Sequence, residues 1–196
     1  MKSEFLVWEY QDVPHACSLY ELKGVERQYE LVKGIPRASD FPRDAKYPMN
    51  PDFHHDTLLL DNLLNTDNLI VVSNRLKDFL AARPLIKVEY LPVTVLNHKK
   101  KPVGTDYFIV HPIELPECLD IDKSEAKWGI ISKDLIDEVK QLVIDGSKVE
   151  PNREFFKPKP YYYVFVVRRI LAEAIDAAGF TGIRWVEPEN HPRPRK

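Results

Sequence analysis

The sequence predicts an α+β single domain: a mostly antiparallel central sheet with two or three helices packed against it. Three stretches carry that expectation. In residues 85–124, Ile86, Val88, Tyr90, Val93 and Val95 recur at strand spacing, and Tyr107, Ile109 and His111 alternate with Phe108, Val110 and Pro112. Side chains alternate between the faces of a strand, so the two runs read as antiparallel partners joined by a long basic loop, Asn97 to Pro102. Residues 69–72 read as a short buried strand ending at Ser73, whose hydroxyl can accept from an orphan amide of a following helix. Behind the β-forming run 161–167, Ile170, Leu171, Ala174, Ile175 and Ala178 form one apolar helix face, with Arg168, Arg169, Glu173 and Asp176 covering the rest.

The remaining elements follow in order. Residues 5–10 form a first strand, stopped by Asp12, Val13 and Pro14. Residues 16–32 give mixed signals, with Tyr20, Leu22 and Val25 spaced for a strand or a short turn. Residues 34–52 hold Pro36, Pro42, Pro48 and Pro51 among Arg37, Asp40, Arg43 and Asp44, and read as an ordered but irregular surface segment. His54, His55 and Asp56 open a polar loop or a helix start, since adjacent imidazoles diverge too far to share one metal. Leu58, Leu59, Leu60, Leu63 and Leu64 supply apolar surface for a short helix. Leu76, Phe79 and Leu80 share the face of a helix that Pro84 ends. Trp128 to Ile131 and Leu135 to Ile136 read as an irregular stretch or short helix, and Val139, Leu142, Val143 and Ile144 as a strand closed by Asp145 and Gly146. Phe155 and Phe156 are strand-like, with Pro158 and Pro160 interrupting the run that follows. The last helix stops at Gly179, where a left-handed residue is wanted; Thr181 and Gly182 then turn into a final strand, 183–186. The chain divides into an N-terminal part with the irregular proline-rich segment (1–66), the core (67–188) and a basic tail (189–196).

At 196 residues the chain can bury roughly 70% of its unfolded surface without help from metals or disulfides. A net charge of −2 offers no global attraction to nucleic acid. The local clusters Lys99, Lys100, Lys101 and Arg193, Arg195, Lys196 read as a solvated loop tip and a frayed terminus. Two cysteines far apart, Cys17 and Cys118, make no disulfide framework and suit a reducing compartment. The first residues meet acidic groups too early for a signal peptide, and no run approaches ~18 apolar residues, so the expectation is a cytoplasmic protein with neither membrane nor nucleic acid as partner.

No HExxH, GxSxG, glycine-rich phosphate loop or CxxC is present, so no catalytic residue, metal site or cofactor is assigned. The best enzymatic constellation is Asp120 and Asp122, with Glu117 and Glu125 nearby. Carboxylates at i and i+2 share a strand face and could hold Mg²⁺, which defines a rival reading as a small metal-dependent hydrolase. The EF-hand pattern fails for want of a glycine at its sixth position. Cys118 with His111, or Cys17 with His15, would be a thiol–imidazole pair, but spacing gives no reason to place either in contact. A third reading is an adaptor that binds a protein through exposed aromatics such as Trp8 and Tyr10.

An ordered set of pieces resembles a known family. They are Val72, Ser73, Asn74, Arg75 and Leu76; the strands around Val88 to Val93 and Tyr107 to Val110; Cys118, Leu119, Asp120, Ile121, Asp122, Lys123 and Ser124; Leu142 to Asp145; Phe155 and Phe156; and the helix ending in Gly179, Phe180, Thr181, Gly182 and Ile183. Across about three-fifths of the chain, residues 69–186, they resemble immunity protein family eleven of bacterial polymorphic and contact-delivered toxin systems. The N-terminal third matches loosely, and the hairpin turn lacks the expected glycine. The resemblance implies a non-enzymatic protein that binds and blocks one cognate toxin. Many such toxins are nucleases with basic clefts, and a carboxylate-rich surface suits a cleft built for phosphates. The resemblance does not say which residues bind: the parts that do not match, such as the proline-rich stretch 34–52, are one candidate, and Glu117, Asp120, Asp122 and Glu125 of the acidic segment are the candidate toxin-binding residues of the other, with the oligomeric state left open.

Overall fold

A computed structural model describes residues 2–104 and 106–192. Arg193, Arg195 and Lys196 of the basic tail lie outside the described residues. In chain order the strands are β1 (Phe5–Tyr10), β2 (Ser18–Leu19), β3 (Lys46–Pro48), β4 (Asn62–Asn65), β5 (Ile70–Ser73), β6 (Val88–Leu96), β7 (Tyr107–Pro112), β8 (Lys127–Trp128), β9 (Ile136–Glu138), β10 (Phe155–Phe156), β11 (Phe165–Arg168) and β12 (Ile183–Val186). The helices are α1 (Tyr29–Lys33), α2 (Asn74–Ala81) and α3 (Arg169–Ala177). The architecture is α+β, as the alternating patterns require.

Two sheets carry the fold. One is four-stranded and antiparallel, in the order β10-β11-β1-β12. The other is six-stranded, in the order β2-β4-β5-β7-β6-β3, antiparallel except where β2 meets β4 and β3 meets β6. The expected central hairpin is its middle, with Glu89 opposite His111 and Leu91 opposite Ile109. Strand alternation then builds three apolar layers. Val71, Leu91 and Ile109 face a layer closed by Cys17, Leu31 and Tyr47. Ile70, Val72 and Val110 face the middle layer, where they meet Leu6, Trp8, Phe165 and Val167 of the second sheet and the buried sides of α2 and α3. Phe5, Val7 and Val166 cover a third layer with Ile136, Val139 and Leu142. Strand β1 is thus buried on both faces, which explains its unbroken run of Phe5, Leu6, Val7 and Trp8.

Helix α2 starts as its sequence dictates: the Ser73 hydroxyl accepts from the Leu76 amide at 3.3 Å, and Leu76 and Leu80 are buried. Helix α3 departs from the expected face. Leu171, Ala172 and Ile175 are buried, whereas Ile170 is 68% exposed and Ala178 is exposed. Small Ala172 lets the helix settle on β11 and β1, which turns Ile170 outward. Ile175→Ala is expected to cost about 2–4 kcal/mol through lost transfer energy and a residual cavity, read from the denaturant midpoint.

Four other expectations change. Residues 62–65 are a strand, not part of a helix, because β5 needs an antiparallel neighbour and Leu63 fills the first layer while Leu64 faces out. Residues 139–144 are not a strand; Val139 and Leu142 anchor an irregular segment to the third layer, with one bridge between Leu119 and Ile144. Residues 127–138 form the β8–β9 hairpin. The proline-rich segment is irregular but not superficial. Ala45 and Tyr47 are core residues, and the buried Arg37 guanidinium pairs with Glu30 at 3.2 Å and Asp40 at 2.9 Å while donating to the Glu26 carbonyl at 3.0 Å.

One polar staple joins the two sheets. The Asp61 carboxylate accepts from the Ser73 hydroxyl at 2.8 Å, the Arg75 guanidinium at 2.7 and 3.2 Å, and the Thr181 amide and hydroxyl, both at 3.0 Å. Beside it, Asn62 donates to the Gly182 carbonyl at 2.8 Å. A Cβ on Gly182 would lie 2.3 Å from the Asn62 carbonyl oxygen, and φ there is +82°, so the close approach requires glycine.

Candidate functional site

The acidic segment leaves β7 and is fixed from below. Cys118 and Leu119 are buried in the third layer, and the Asp145 amide donates to the Cys118 carbonyl at 2.8 Å. Ser124 is also buried, its hydroxyl accepting from the Val143 amide at 3.1 Å. Between these anchors the chain turns, so Asp120 and Asp122 do not share a strand face, and the premise of the Mg²⁺ pair is removed. Asp120 closes the turn, accepting from the Lys123 amide at 3.1 Å and its ammonium at 2.9 Å; these bonds hold its carboxyl below the usual carboxylate range. Glu117 accepts from Lys159 at 2.7 Å, which lowers its pKa likewise. Glu125 accepts from Lys140 at 2.9 and 3.0 Å. Asp122 is exposed and, among the described residues, has no ion-pair partner. The four carboxylates fall within one nine-residue stretch of chain, the ledge 117–125, and three of them already hold a lysine.

The neighbouring β8–β9 hairpin carries what the sequence reading missed. Ile130 is 91% exposed and Ile131 97%, at the tip; with Trp128 and Ile121 they are four of the twelve large exposed apolar side chains among the described residues, within eleven positions. The tip is held rather than loose. The Gly129 amide donates to the Leu135 carbonyl at 2.8 Å, the Leu135 amide donates to the Ser132 carbonyl at 3.1 Å, and Ile136 sits fully buried at the base. A Cβ on Gly129 would fall 2.8 Å from the Ser132 oxygen and 2.9 Å from the Asp137 carboxylate, so only glycine fits. A cavity of about 310 Å³, lined by Glu117, Leu119, Ile121, Trp128, Lys159 and Pro160 together with Lys148, joins ledge to hairpin. The available signal was an Ile-Ile doublet matching neither strand nor helix period.

The other candidates are structural. Trp8 is 3% exposed, edge-on to Phe155 at 5.8 Å and Trp185 at 5.2 Å, and Tyr10 is half-buried, so neither is the exposed aromatic of an adaptor. Burial pushes both cysteine thiols up to about 12, leaving almost no thiolate at neutral pH. His111 is engaged by the Ile35 carbonyl at 2.8 Å, and His15 lies 3.7 Å from Asp56. Among the described residues, no three His, Cys, Asp or Glu side chains converge as a metal cluster. Lys157 is an unusual interior charge: 1% exposed, its Nζ without a hydrogen-bond partner among the described residues and 4.3 Å from the Phe165 ring centre, with burial lowering its pKa to about 7.

The sequence model of the immunity protein family Imm11 matches residues 12–190. The chain belongs to this family. The match takes in the six-stranded sheet, β10, β11 and β12 of the other sheet, the acidic ledge and the hairpin, while β1 lies before it; it reaches well into the N-terminal third, where the resemblance is loose. No curated protein matches the chain. Imm11 membership gives an immunity role, points to a non-catalytic protein, and implies a toxin as partner in general terms. Among the described residues of this Imm11 protein, no helix is long and apolar enough to cross a membrane.

Proposed function

We propose that this Imm11 protein neutralises one cognate toxin in the cytoplasm by stoichiometric binding, and that the ledge carrying Glu117, Asp120, Asp122 and Glu125 faces a basic cleft of that toxin. The observation that carries the reading is charge held on a rigid support: residues 117–138 contain seven carboxylates, five of them paired with lysines and Asp122 and Asp137 without an ion-pair partner among the described residues, anchored through the buried Cys118, Ser124 and Ile136. Such a surface steers a basic partner and occupies a cleft shaped for phosphates, as a nuclease's would be. The buried, unpaired cysteines suit a reducing compartment.

Co-expression with the toxin encoded beside the gene tests this, together with association rates at rising salt. The on-rate is expected to fall with salt. Asp122→Ala should cost the most, about 2–5 kcal/mol of binding, because it has no lysine to release. Asp120→Ala should also lower fold stability slightly, since it closes a turn. Full protection by a variant with all four carboxylates replaced by alanine would move the interface off the ledge.

A further inference from the structure

We infer that the cavity beside the C-terminal end of β1 is a binding site for a small uncharged molecule that carries a carboxamide group. Strand β1 stays paired with β12 as far as Tyr10, but β11 begins only at Phe165, opposite Trp8. Hydrogen-bonded pairs alternate along an antiparallel ladder. On the β11 side the Glu4 carbonyl accepts from the Arg169 amide at 2.8 Å, and on the β12 side the Gln11 amide donates to the Gly182 carbonyl at 3.2 Å. The Tyr10 N–H and C=O therefore point to the side that β11 does not reach, and neither has a hydrogen-bond partner among the described residues. A cavity of about 380 Å³ lies there, with Trp8, Tyr10, Asn62, Leu69, Phe165 and His191 in its lining.

Three further polar atoms of that lining have no hydrogen-bond partner among the described residues: Trp8 Nε1, Asn62 Oδ1 and His191 Nε2. Trp8 and Asn62 are each 3% exposed. Asn62 donates its Nδ2 to the Gly182 carbonyl at 2.8 Å, which leaves its oxygen over. His191 turns Nδ1 to the Glu9 carboxylate at 3.2 Å; that group only accepts, so Nε2 of the neutral ring is an acceptor. The site thus offers two donors, Tyr10 N–H and Trp8 Nε1–H, and acceptors in the Tyr10 carbonyl, Asn62 Oδ1 and His191 Nε2. Buried polar groups are costly to leave unpaired, and a few of them among apolar and aromatic walls are the composition of a small-molecule site. Glu9, the one carboxylate in the lining, is paired with Arg184 and His191, so the site selects no ion. A carboxamide sets an N–H and a C=O side by side, as the peptide group of a neighbouring strand would towards Tyr10, and Leu69 and Phe165 cover the apolar body attached to it.

The test titrates the full chain with acetamide, benzamide, toluene and benzoate, and follows the assigned Trp8 indole and Tyr10 amide resonances by NMR. Acetamide and benzamide should shift both resonances saturably, and benzamide should bind about tenfold more tightly than toluene, which lacks the amide, or benzoate, which carries a charge. Trp8→Phe keeps an aromatic ring and loses the donor, so benzamide binding read at the Tyr10 amide should weaken about tenfold. No saturable shift with either amide would overturn the proposal. Toluene binding as tightly as benzamide would make the cavity an apolar void and overturn it too, as would a folded Trp8→Phe that binds benzamide as the parent does. If Trp8→Phe does not fold, the four probes on the parent chain decide alone. The immunity reading is independent of every one of these outcomes.

Discussion

Lys157→Met is expected to stabilise the protein by about 2–4 kcal/mol at pH 7, although it removes a charge from a closely packed site. Burial holds the amine near pKa 7, against about 10.4 in the unfolded chain, so the unfolded state binds one more proton between those values. The stability of the parent must rise with pH through that window. Below pH 7 both states are protonated and the penalty is constant and largest. The face of Phe165 at 4.3 Å offsets part of it, since a desolvated cation gains up to about 2 kcal/mol from an aromatic ring. Methionine keeps the stem and loses the charge. The difference between the two proteins, measured by chemical denaturation, should be large at pH 6–7 and vanish near pH 10. A variant less stable than the parent at pH 7 would show that the amine holds a partner.

Asp61→Ala should act in the opposite sense, lowering stability by about 3–5 kcal/mol, because it leaves Arg75, Ser73 and Thr181 without the acceptor they share. The thermal midpoint should fall by about 10 °C. Burial alone would raise the Asp61 pKa, but the bonds from Arg75, Thr181 and Ser73 outweigh it and hold the group below its ordinary value. Its contribution is therefore complete above about pH 4 and is lost as pH falls through the folded pKa. Asp61→Asn keeps the shape but removes the titration, so its stability should decline less steeply on acidification than that of the parent. Equal acid limbs would show that the carboxylate charge is immaterial to the staple.

What could be read from the sequence was whatever neighbours in the chain decide. Ser73 ahead of Leu76, the alternation from Val88 to Val95 and the stop at Gly179 each act within a turn or a strand, and each appears where expected. Strand β4 did not, because its partner β5 decides it and five leucines suit either period. Strands β8 and β9 have two and three residues, too few to show alternation. The acidic segment looked like uncompensated charge because Lys159 and Lys140 come from 42 and 15 residues away. Arg37 was hidden differently: its partners Glu30 and Asp40 are local, but the burial that makes them matter is decided by the packing of the whole chain. Ile130 and Ile131 were visible as letters only; their exposure follows from a hairpin that the letters did not announce.

The placement of β1 has a consequence for timing. This first strand lies between β11 and β12, its partners drawn from residues 165–168 and 183–186, so the four-stranded sheet lacks its inner strand's neighbours until nearly the whole chain has been made. At about 5–20 residues per second, synthesis occupies roughly 10–40 s, during which Trp8 and its apolar neighbours on the nascent chain wait for cover. A half-made copy on the ribosome therefore lacks the four-stranded sheet, and only completed molecules can act in an immunity role.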